Sequence, residues 1–407
     1  MSGDIALDLW IWSRNFPIMS KITYIDEVKI KNKTVLLRVD FNVSLNPDYT
    51  ISNDARIKQS LPTINYLLKN NNRLIIISHL GRPKGIDKKF SLKIVVDKLK
   101  EYLPNVEISL TESIESVKEK KGKIIVLENI RFFPKEKDYS TIFAKQLASL
   151  ADIYVNDAFG VCHRSDTSVI GPPKFVPGYG GLLLKKELEM LDCITKNPKK
   201  PVVAIIGGVK VSTKIGLINK LMKIADYIII GGGLANTFIS AQGYEVGISF
   251  CEYEAVQQAR KLLSLAKGSR AFIILPVDAV VATNKDDKES EVVKIESIPA
   301  NKSIFDIGPE TIAKFGAIIN KAKTIIWNGP VGYFENPVFR QGTDFIYYSI
   351  THNKDAVSIV GGGDTLAAIS KKEYLDKITH ISTGGGAMLE YIEKGTLPGI
   401  EALKKSI

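Results

Sequence analysis

Cysteine is scarce in this chain of 407 residues: Cys162, Cys193 and Cys251 stand far apart and form no Cys-x-x-Cys pair. That spacing argues against a disulfide framework and fits free thiols in a reducing compartment. Histidine is nearly as sparse. His79, His163, His352 and His380 lack the spacing of metal ligands. Cys162 and His163 are adjacent, but neighbours in sequence rarely present both side chains as a Cys–His nucleophile requires. No apolar stretch is long enough for a transmembrane helix. Neither Gly-x-x-x-x-Gly-Lys-[Ser/Thr] nor Gly-x-Gly-x-x-Gly occurs, which counts against P-loop NTPases and nicotinamide dehydrogenases. The formal net charge is +11, yet the lysines are dispersed and no basic block interleaved with aromatics stands out. The basic balance therefore suits small anionic ligands better than nucleic acid. No internal repeat or low-complexity segment is visible.

What the chain does have is glycine placed after apolar runs. Tyr227-Ile-Ile-Ile-Gly-Gly-Gly233, Val357-Ser-Ile-Val-Gly-Gly-Gly-Asp364 and His380-Ile-Ser-Thr-Gly-Gly-Gly386 share this form, and Ile205-Ile-Gly-Gly208 adds a fourth. A short Ile/Val-rich run reads as a buried parallel strand. Glycine at its end lets backbone approach a ligand, and N–H groups at the next helix start can hold an anion. Four such runs suggest one sheet edge built to hold a nucleotide.

In the first half the apolar runs end in charge instead. Val35-Leu-Leu-Arg-Val39 leads to Asp40-Phe-Asn42, and Leu74-Ile-Ile-Ile77 to Ser78-His-Leu-Gly-Arg82. Ile124-Ile-Val-Leu127 leads to Glu128-Asn-Ile-Arg131, and Ile153-Tyr-Val155 to Asn156-Asp157 and His163-Arg164. Ligands of open α/β sheets bind beyond the carboxyl ends of the strands. Arginine and histidine converging there make an anion pocket, with arginine suited to bidentate phosphate or carboxylate recognition. A basic pocket in one half and a glycine-lined pocket in the other suit phosphoryl transfer between a nucleotide and a small anion.

Length favours about two or three domains. Strand-like runs alternate with amphipathic helical stretches, four strong strands before residue 160 and six between 202 and 386. This predicts an α/β fold with largely parallel sheets, in two domains joined by a helix and with a cleft between them. The break falls at Gly171-Pro-Pro173 to Gly178-Tyr-Gly-Gly181. Leu184, Leu188 and Leu191 then mark a connecting helix over 182–194, closed by Asn197-Pro198. Residues 1–18 are expected to be an extension outside the fold: Asp4 and Asp8 spoil a signal peptide, and Met19 is a plausible start in its own right. The expected domains are therefore 19–181 and 182–392, with 393–407 as a docking segment.

Taken in order, Arg38-Val-Asp-Phe-Asn-Val43, Ser78-His-Leu-Gly-Arg-Pro83 and Gly207-Gly-Val-Lys-Val-Ser-Thr-Lys214 resemble phosphoglycerate kinases. So do Trp327-Asn-Gly-Pro-Val-Gly332, Gly361-Gly-Gly-Asp-Thr365 and Ser382-Thr-Gly-Gly-Gly386. The resemblance runs from about residue 20 to the end. It implies reversible phosphoryl transfer from 1,3-bisphosphoglycerate to ADP, giving 3-phosphoglycerate and ATP, as a step of glycolysis. It also implies two Rossmann-like domains, with phosphoglycerate on the first and nucleotide with Mg2+ on the second, a cytoplasmic monomer, no membrane or nucleic-acid partner, and a segment 393–407 that packs back on the first domain. Phosphoglycerate would be held by Asp40, Asn42, Arg56, His79, Arg82, Arg131 and Arg164, with His163 nearby. Gly207, Gly208, Gly232 and Gly233 would line the adenine slot. Asn328, Pro330 and Glu335 would contact ribose and phosphates, Gly361, Gly362, Gly363 and Thr365 would offer a helix N-terminus to the phosphates, and Asp364 would bind the metal or cap that helix. Arg56, Lys210 and Lys214 would act on the transferring group. The two lysines, four apart, would share one face of a helical turn.

Three positions depart from the family's pattern. Thr213 stands where Asp is usual, Asp166 where His is common, and Tyr333 where a small aliphatic is found. An acyl phosphate is already activated, so the expected mechanism is positioning and charge stabilisation during in-line transfer after domain closure. Ser382, Thr383 and the connecting helix are the hinge candidates. A catalytically altered nucleotide- or RNA-binding protein on the same fold is the alternative; intact Lys210, Lys214, Asp364 and Arg56 argue against it.

Overall fold

The computed structural model describes residues 21–369 and 372–407, so the expected 1–18 extension lies outside the described residues. The chain divides into two compact units. The first comprises residues up to Asp157 together with Arg164–Leu182 and Pro398–Ile407; the second comprises Ala158–His163 and Leu183–Leu397.

The first unit holds eight strands: β1 (Thr34–Arg38), β2 (Ser44–Leu45), β3 (Ile51–Asn53), β4 (Arg73–Ile77), β5 (Ile108–Thr111), β6 (Ile124–Leu127), β7 (Ile153–Asn156) and β8 (Gly178–Gly180). β2 and β3 form a small antiparallel pair. The other six make one sheet in the order β5-β6-β4-β1-β7-β8, parallel throughout. β1, β4, β6 and β7 are almost wholly buried, as continuous Ile/Val/Leu runs require when helices cover both faces. Val35, Leu37, Leu74, Ile76, Ile124 and Val126 pack on one face against Ile57, Ile64 and Leu67 of the helix Ala55–Lys69. Since every strand of this six-stranded sheet is parallel, its carboxyl ends meet at one edge.

The second unit holds β9 (Val202–Ile206), β10 (Tyr227–Ile230), β11 (Phe272–Ile274), β12 (Asp278–Ala282), β13 (Glu291–Lys294), β14 (Ser303–Ile307), β15 (Thr324–Asn328), β16 (Val357–Val360) and β17 (His380–Ile381). Its main sheet is again parallel, in the order β11-β10-β9-β15-β16-β17. This is the doubly wound order, and the winding reverses between β9 and β15. β12, β13 and β14 form a separate antiparallel sheet. The core gathers Val203, Ile205, Ile325 and Trp327 against Phe315 and Ile346 of the helices Pro309–Ile319 and Gln341–His352.

The helix predicted over 182–194 spans Leu182–Lys196 and buries Leu184, Leu188, Leu191 and Ile194. It also buries Glu187. That carboxylate accepts from the Thr383 backbone N–H at 2.6 Å and the Thr383 hydroxyl at 2.7 Å, and lies 2.7 Å from His380 Nε2. The helix is thus fastened to the strand end that carries Ser382 and Thr383.

Candidate active site

In the first unit, the carboxyl edge carries the charged residues that the strand-end pattern singled out. Asp40 follows β1 and is buried. Arg56, at the start of its helix, forms an ion pair with Asp40 Oδ2. Asp40 Oδ1 accepts from the Asn42 backbone N–H at 3.2 Å, and Asn42 Oδ1 accepts from the Gly81 N–H at 2.8 Å. Gly81 takes φ +64°, a left-handed conformation that suits glycine, and a side chain there would strike the Phe90 ring. The turn therefore holds Asn42 close to the loop bearing His79 and Arg82.

His79 is buried, 3.8 Å from Asp40 Oδ1. Burial pushes its pKa well below 6.5, and the charges of Arg38, Arg131, Arg164 and Arg56 push the same way, so the imidazole is neutral. Arg38 Nη2 lies 3.4 Å from His79 Nδ1. Arginine can only donate, so Nδ1 accepts and the ring proton resides on Nε2. His79 is thus a neutral donor among cations. Arg131 reaches the Gly81 carbonyl through Nη1, while its buried Nε has no partner. Burial, followed by the charge of Arg164, lowers the Arg131 pKa to about 10. Cations pressed together in this way favour an anion between them. Arg82 is exposed beside Gly81. His163 belongs to the second unit, where its ring lies near Gly386.

Sequence reasoning did not single out the support beneath this cluster. Arg38 is fully buried; its Nε donates to Ser168 Oγ at 3.0 Å, and Ser168 Oγ donates to Glu136 at 2.6 Å. Burial raises the Glu136 pKa to about 7. The one available signal was an arginine inside an apolar strand. Asp166, one of the departures, is also buried, and its charge is felt by Arg131 and Glu136.

In the second unit the glycine runs meet at the β9/β15 reversal. The Gly207 N–H donates to the Asn328 carbonyl at 2.9 Å and the Gly208 N–H to the Pro330 carbonyl at 3.2 Å. A Cβ at Gly207 would run into that Pro330 carbonyl, so only glycine allows the approach. Gly232 donates to the Val331 carbonyl at 3.0 Å, and Gly208 accepts from Leu234 at 2.8 Å. These loops border a cavity of about 330 Å³ whose wall includes Gly208, Gly232, Gly233, Pro330, Glu335 and Asp364. Phe250, Phe305 and Tyr333 supply aromatic wall, with Phe305 and Tyr333 ring centroids 6.1 Å apart. The Tyr333 departure thus lies on the cavity wall.

Lys214 Nζ donates to the Gly207 carbonyl at 2.5 Å and to Asn328 Oδ1 at 3.2 Å, and burial lowers its pKa to about 8. Asn328 Nδ2 donates to the Gly361 carbonyl at 2.6 Å. The Thr365 hydroxyl accepts from the Gly329 N–H at 2.7 Å and donates to the Gly361 carbonyl at 3.0 Å. Asn328 and Thr365 therefore clamp the glycine loops together.

Two local expectations are corrected. Lys210 and Lys214 share no helical face, because the helix begins only at Ile215 and the segment before it is a series of turns. Lys210 is exposed, whereas Lys214 is folded inward. Asp364 is not a helix cap: Gly362, at φ +111°, caps the short helix Gly363–Ala368, and Asp364 lies exposed in its first turn. Thr213 is exposed, its hydroxyl donating to the Lys210 carbonyl at 3.0 Å. Asn236 and Asp306 line the cavity without having been foreseen. Asp306 accepts from the Gly342 N–H at 2.8 Å and its own neighbour's N–H at 2.9 Å, and burial raises its pKa to about 7.

A doubly wound nucleotide-type cavity on one unit and an arginine-rich anion cluster on the other define a phosphotransferase. The family model for phosphoglycerate kinase matches residues 25–395. The phosphoglycerate kinase of Dictyoglomus turgidum is 46% identical over 395 residues, 95% of this chain and 100% of that protein. A cytosolic phosphoglycerate kinase of Arabidopsis thaliana is 43% identical, over 93% of this chain and 97% of that one. The solved phosphoglycerate kinase of Coxiella burnetii superposes with a TM-score of 0.85 at 40% identity, covering 94% of this chain and 98% of its own. The chain belongs to the phosphoglycerate kinase family.

Proposed function

We propose that the first unit binds 3-phosphoglycerate, or 1,3-bisphosphoglycerate in the other direction, and that the second binds ADP or ATP, for reversible phosphoryl transfer. The observation that carries this reading is the grouping of Arg56, Arg131 and Arg164 around a neutral His79. Such a cluster can neutralise a carboxylate and a phosphate while His79 Nε2–H, Asp40 and Asn42 hydrogen-bond the small ligand between them. The apolar cavity walls suit a purine base, and the glycine loops bring backbone close to it.

Arg56, Lys210 and Lys214 are the residues proposed to act on the transferring group. Lys214 is held beside Gly207 and Asn328, and its charge interacts with that of Asp364. Arg56 already balances Asp40, so it is held in place before substrate arrives. These groups supply charge where the metaphosphate-like transition state develops it, and no covalent intermediate is needed. Transfer requires the two bound substrates to meet, so domain closure is part of the proposal.

Magnesium fits the donor set. Among the described residues no group of three or more His, Cys, Asp or Glu is arranged to hold an ion. Asp364 is an exposed carboxylate at the cavity wall, which also carries the exposed Glu335. Mg2+ is commonly held by one or two carboxylates, substrate phosphates and water. When bound it would neutralise nucleotide phosphate charge.

We place the protein in the cytoplasm as a monomer without nucleic-acid partners. No helix among the described residues is long and apolar enough to cross a membrane. A coupled assay with 3-phosphoglycerate, ATP and Mg2+ tests the reading. Turnover that depends on both substrates supports it; nucleotide binding without any 3-phosphoglycerate-dependent turnover sinks it.

A further inference from the structure

In the first unit, His79 Nδ1 lies between a donor and an acceptor. Arg38 Nη2 is 3.4 Å away and Asp40 Oδ1 is 3.8 Å away. A neutral imidazole carries one ring proton, so two tautomers compete. If Nδ1 accepts from Arg38, the proton sits on Nε2. If Nδ1–H turns to Asp40 instead, Nε2 becomes an acceptor and opposes an anionic ligand. The position of the Arg38 guanidinium decides between the two. That position is fixed from behind the site. Arg38 Nη1 donates to the Val39 carbonyl at 2.7 Å and Nε to Ser168 Oγ at 3.0 Å, which leaves Nη2 for His79. Ser168 has one hydroxyl proton, and it accepts from Arg38 only while that proton points elsewhere. Glu136 takes it: Ser168 Oγ donates to Oε1 at 2.6 Å, and the Ser168 N–H donates to Oε2 at 2.9 Å. The Tyr154 hydroxyl holds Ser168 from the other side, donating to its carbonyl at 2.9 Å. Arg38, Glu136 and Ser168 are each at most 1% exposed, so water does not replace a lost partner.

We propose that Glu136 is a positioning residue for phosphoglycerate binding: acting through Ser168 and Arg38, its carboxylate keeps the His79 ring proton on Nε2. The inference rests on reading the arginine cluster as the phosphoglycerate site, where Nε2–H donates to an oxygen of the ligand. A carboxylate accepts on both oxygens, whereas an amide of the same shape accepts on one. In Glu136→Gln an N–H group must therefore oppose either the Ser168 N–H or the Ser168 hydroxyl proton. Either way the acceptor offered to Arg38 is displaced. Ser168→Ala removes that acceptor outright and leaves Glu136 in place.

The test is long-range proton–nitrogen NMR of the full chain without ligand, which shows directly which ring nitrogen bears the proton. The chain has four histidines, and the His79→Gln spectrum identifies the signal of interest. Measurement at pH 8 keeps Glu136 ionised, since burial raises its pKa to about 7. Wild type should show His79 protonated on Nε2. Glu136→Gln and Ser168→Ala should each lower the ratio of the Nε2–H to the Nδ1–H form by about tenfold, the worth of one buried hydrogen bond. In the coupled assay both variants should raise KM for 3-phosphoglycerate by about tenfold and change KM for ATP by less than about twofold. Variants that lose thermal stability but keep the tautomer and this KM would make Glu136 a structural residue only, and the proposal fails. A tautomer that shifts without any change in KM for 3-phosphoglycerate also sinks it. Wild type with the proton on Nδ1 overturns it without reference to any variant. In each of these cases, wild-type turnover that depends on 3-phosphoglycerate and ATP would leave the proposed function standing. Absence of that turnover would remove the two readings together.

Discussion

Lys214 should report nucleotide arrival as a proton. Burial lowers its pKa from an ordinary 10.5 to about 8. At pH 8 about half of the molecules then carry the charged form, and at pH 7 about nine in ten do. A diphosphate placed beside the ammonium favours its charged form and draws the pKa back up. ADP binding at pH 8 should therefore take up about half a proton at Lys214. At pH 7 the uptake falls to about a tenth, and at pH 9 it rises towards one. Calorimetry in two buffers of unlike ionisation enthalpy counts these protons, and the difference from Lys214→Met removes those of the nucleotide itself. The same variant should lower kcat by on the order of a hundredfold, as loss of an aligned donor does, with a smaller effect on ADP affinity. Stability carries the same signature. Between pH 8 and 10.5 the unfolded chain holds a proton that the native lysine lacks, so stability rises with pH across that window. The gain is at most about 3 kcal/mol, and less for a side chain that solvent partly reaches. Equal proton uptake in wild type and variant at pH 8 would refute the reasoning, since Lys214 would not then meet the phosphates.

Three further outcomes follow from neighbouring contacts. Arg56→Ala should lower kcat by about 100-fold to 1,000-fold in the coupled assay, because the proposed function gives it the developing charge to stabilise; a change confined to KM would assign it to binding alone. Asp306 has its pKa raised from 3.8 to about 7, so between those pH values the native state holds a proton that the unfolded chain releases. Stability relative to Asp306→Asn should fall by about 2–3 kcal/mol between pH 5 and pH 8, measured by denaturant unfolding; parallel pH curves would show an unperturbed carboxyl. Glu187→Gln should cost about 2–3 kcal/mol in the same unfolding experiment, since buried groups at Thr383 and His380 lose a charged acceptor; a loss below 1 kcal/mol would mean that they find other partners.

The parts of the fold legible in the sequence were those whose physics is local. β1, β4, β6 and β7 are continuous apolar runs, and they lie where such runs predicted them. β5 and β8 were harder: Ile-Ser-Leu-Thr is half polar at the sheet's edge, and Gly-Tyr-Gly reads as a break. Glycine pairs after strands marked the cavity because close backbone approach admits no other residue there. Helical spacing misled at Lys210 and Lys214, since four residues apart means a shared face only where a helix exists. Arg38, Asn236 and Asp306 were missed for a common reason. Each is polar in an apolar neighbourhood, and only tertiary packing decides whether such a group finds a partner.

The first unit closes with the last residues of the chain. Leu403 is buried in it, and Ser406 Oγ accepts from the Gly178 N–H at 2.6 Å. The earliest half to leave the ribosome is therefore the last to be finished. Synthesis proceeds at roughly 5–20 residues per second, so this half waits for the whole second unit to be made before its own edge is sealed. A stop codon introduced at Pro398 would leave the second unit whole and damage the unit translated before it.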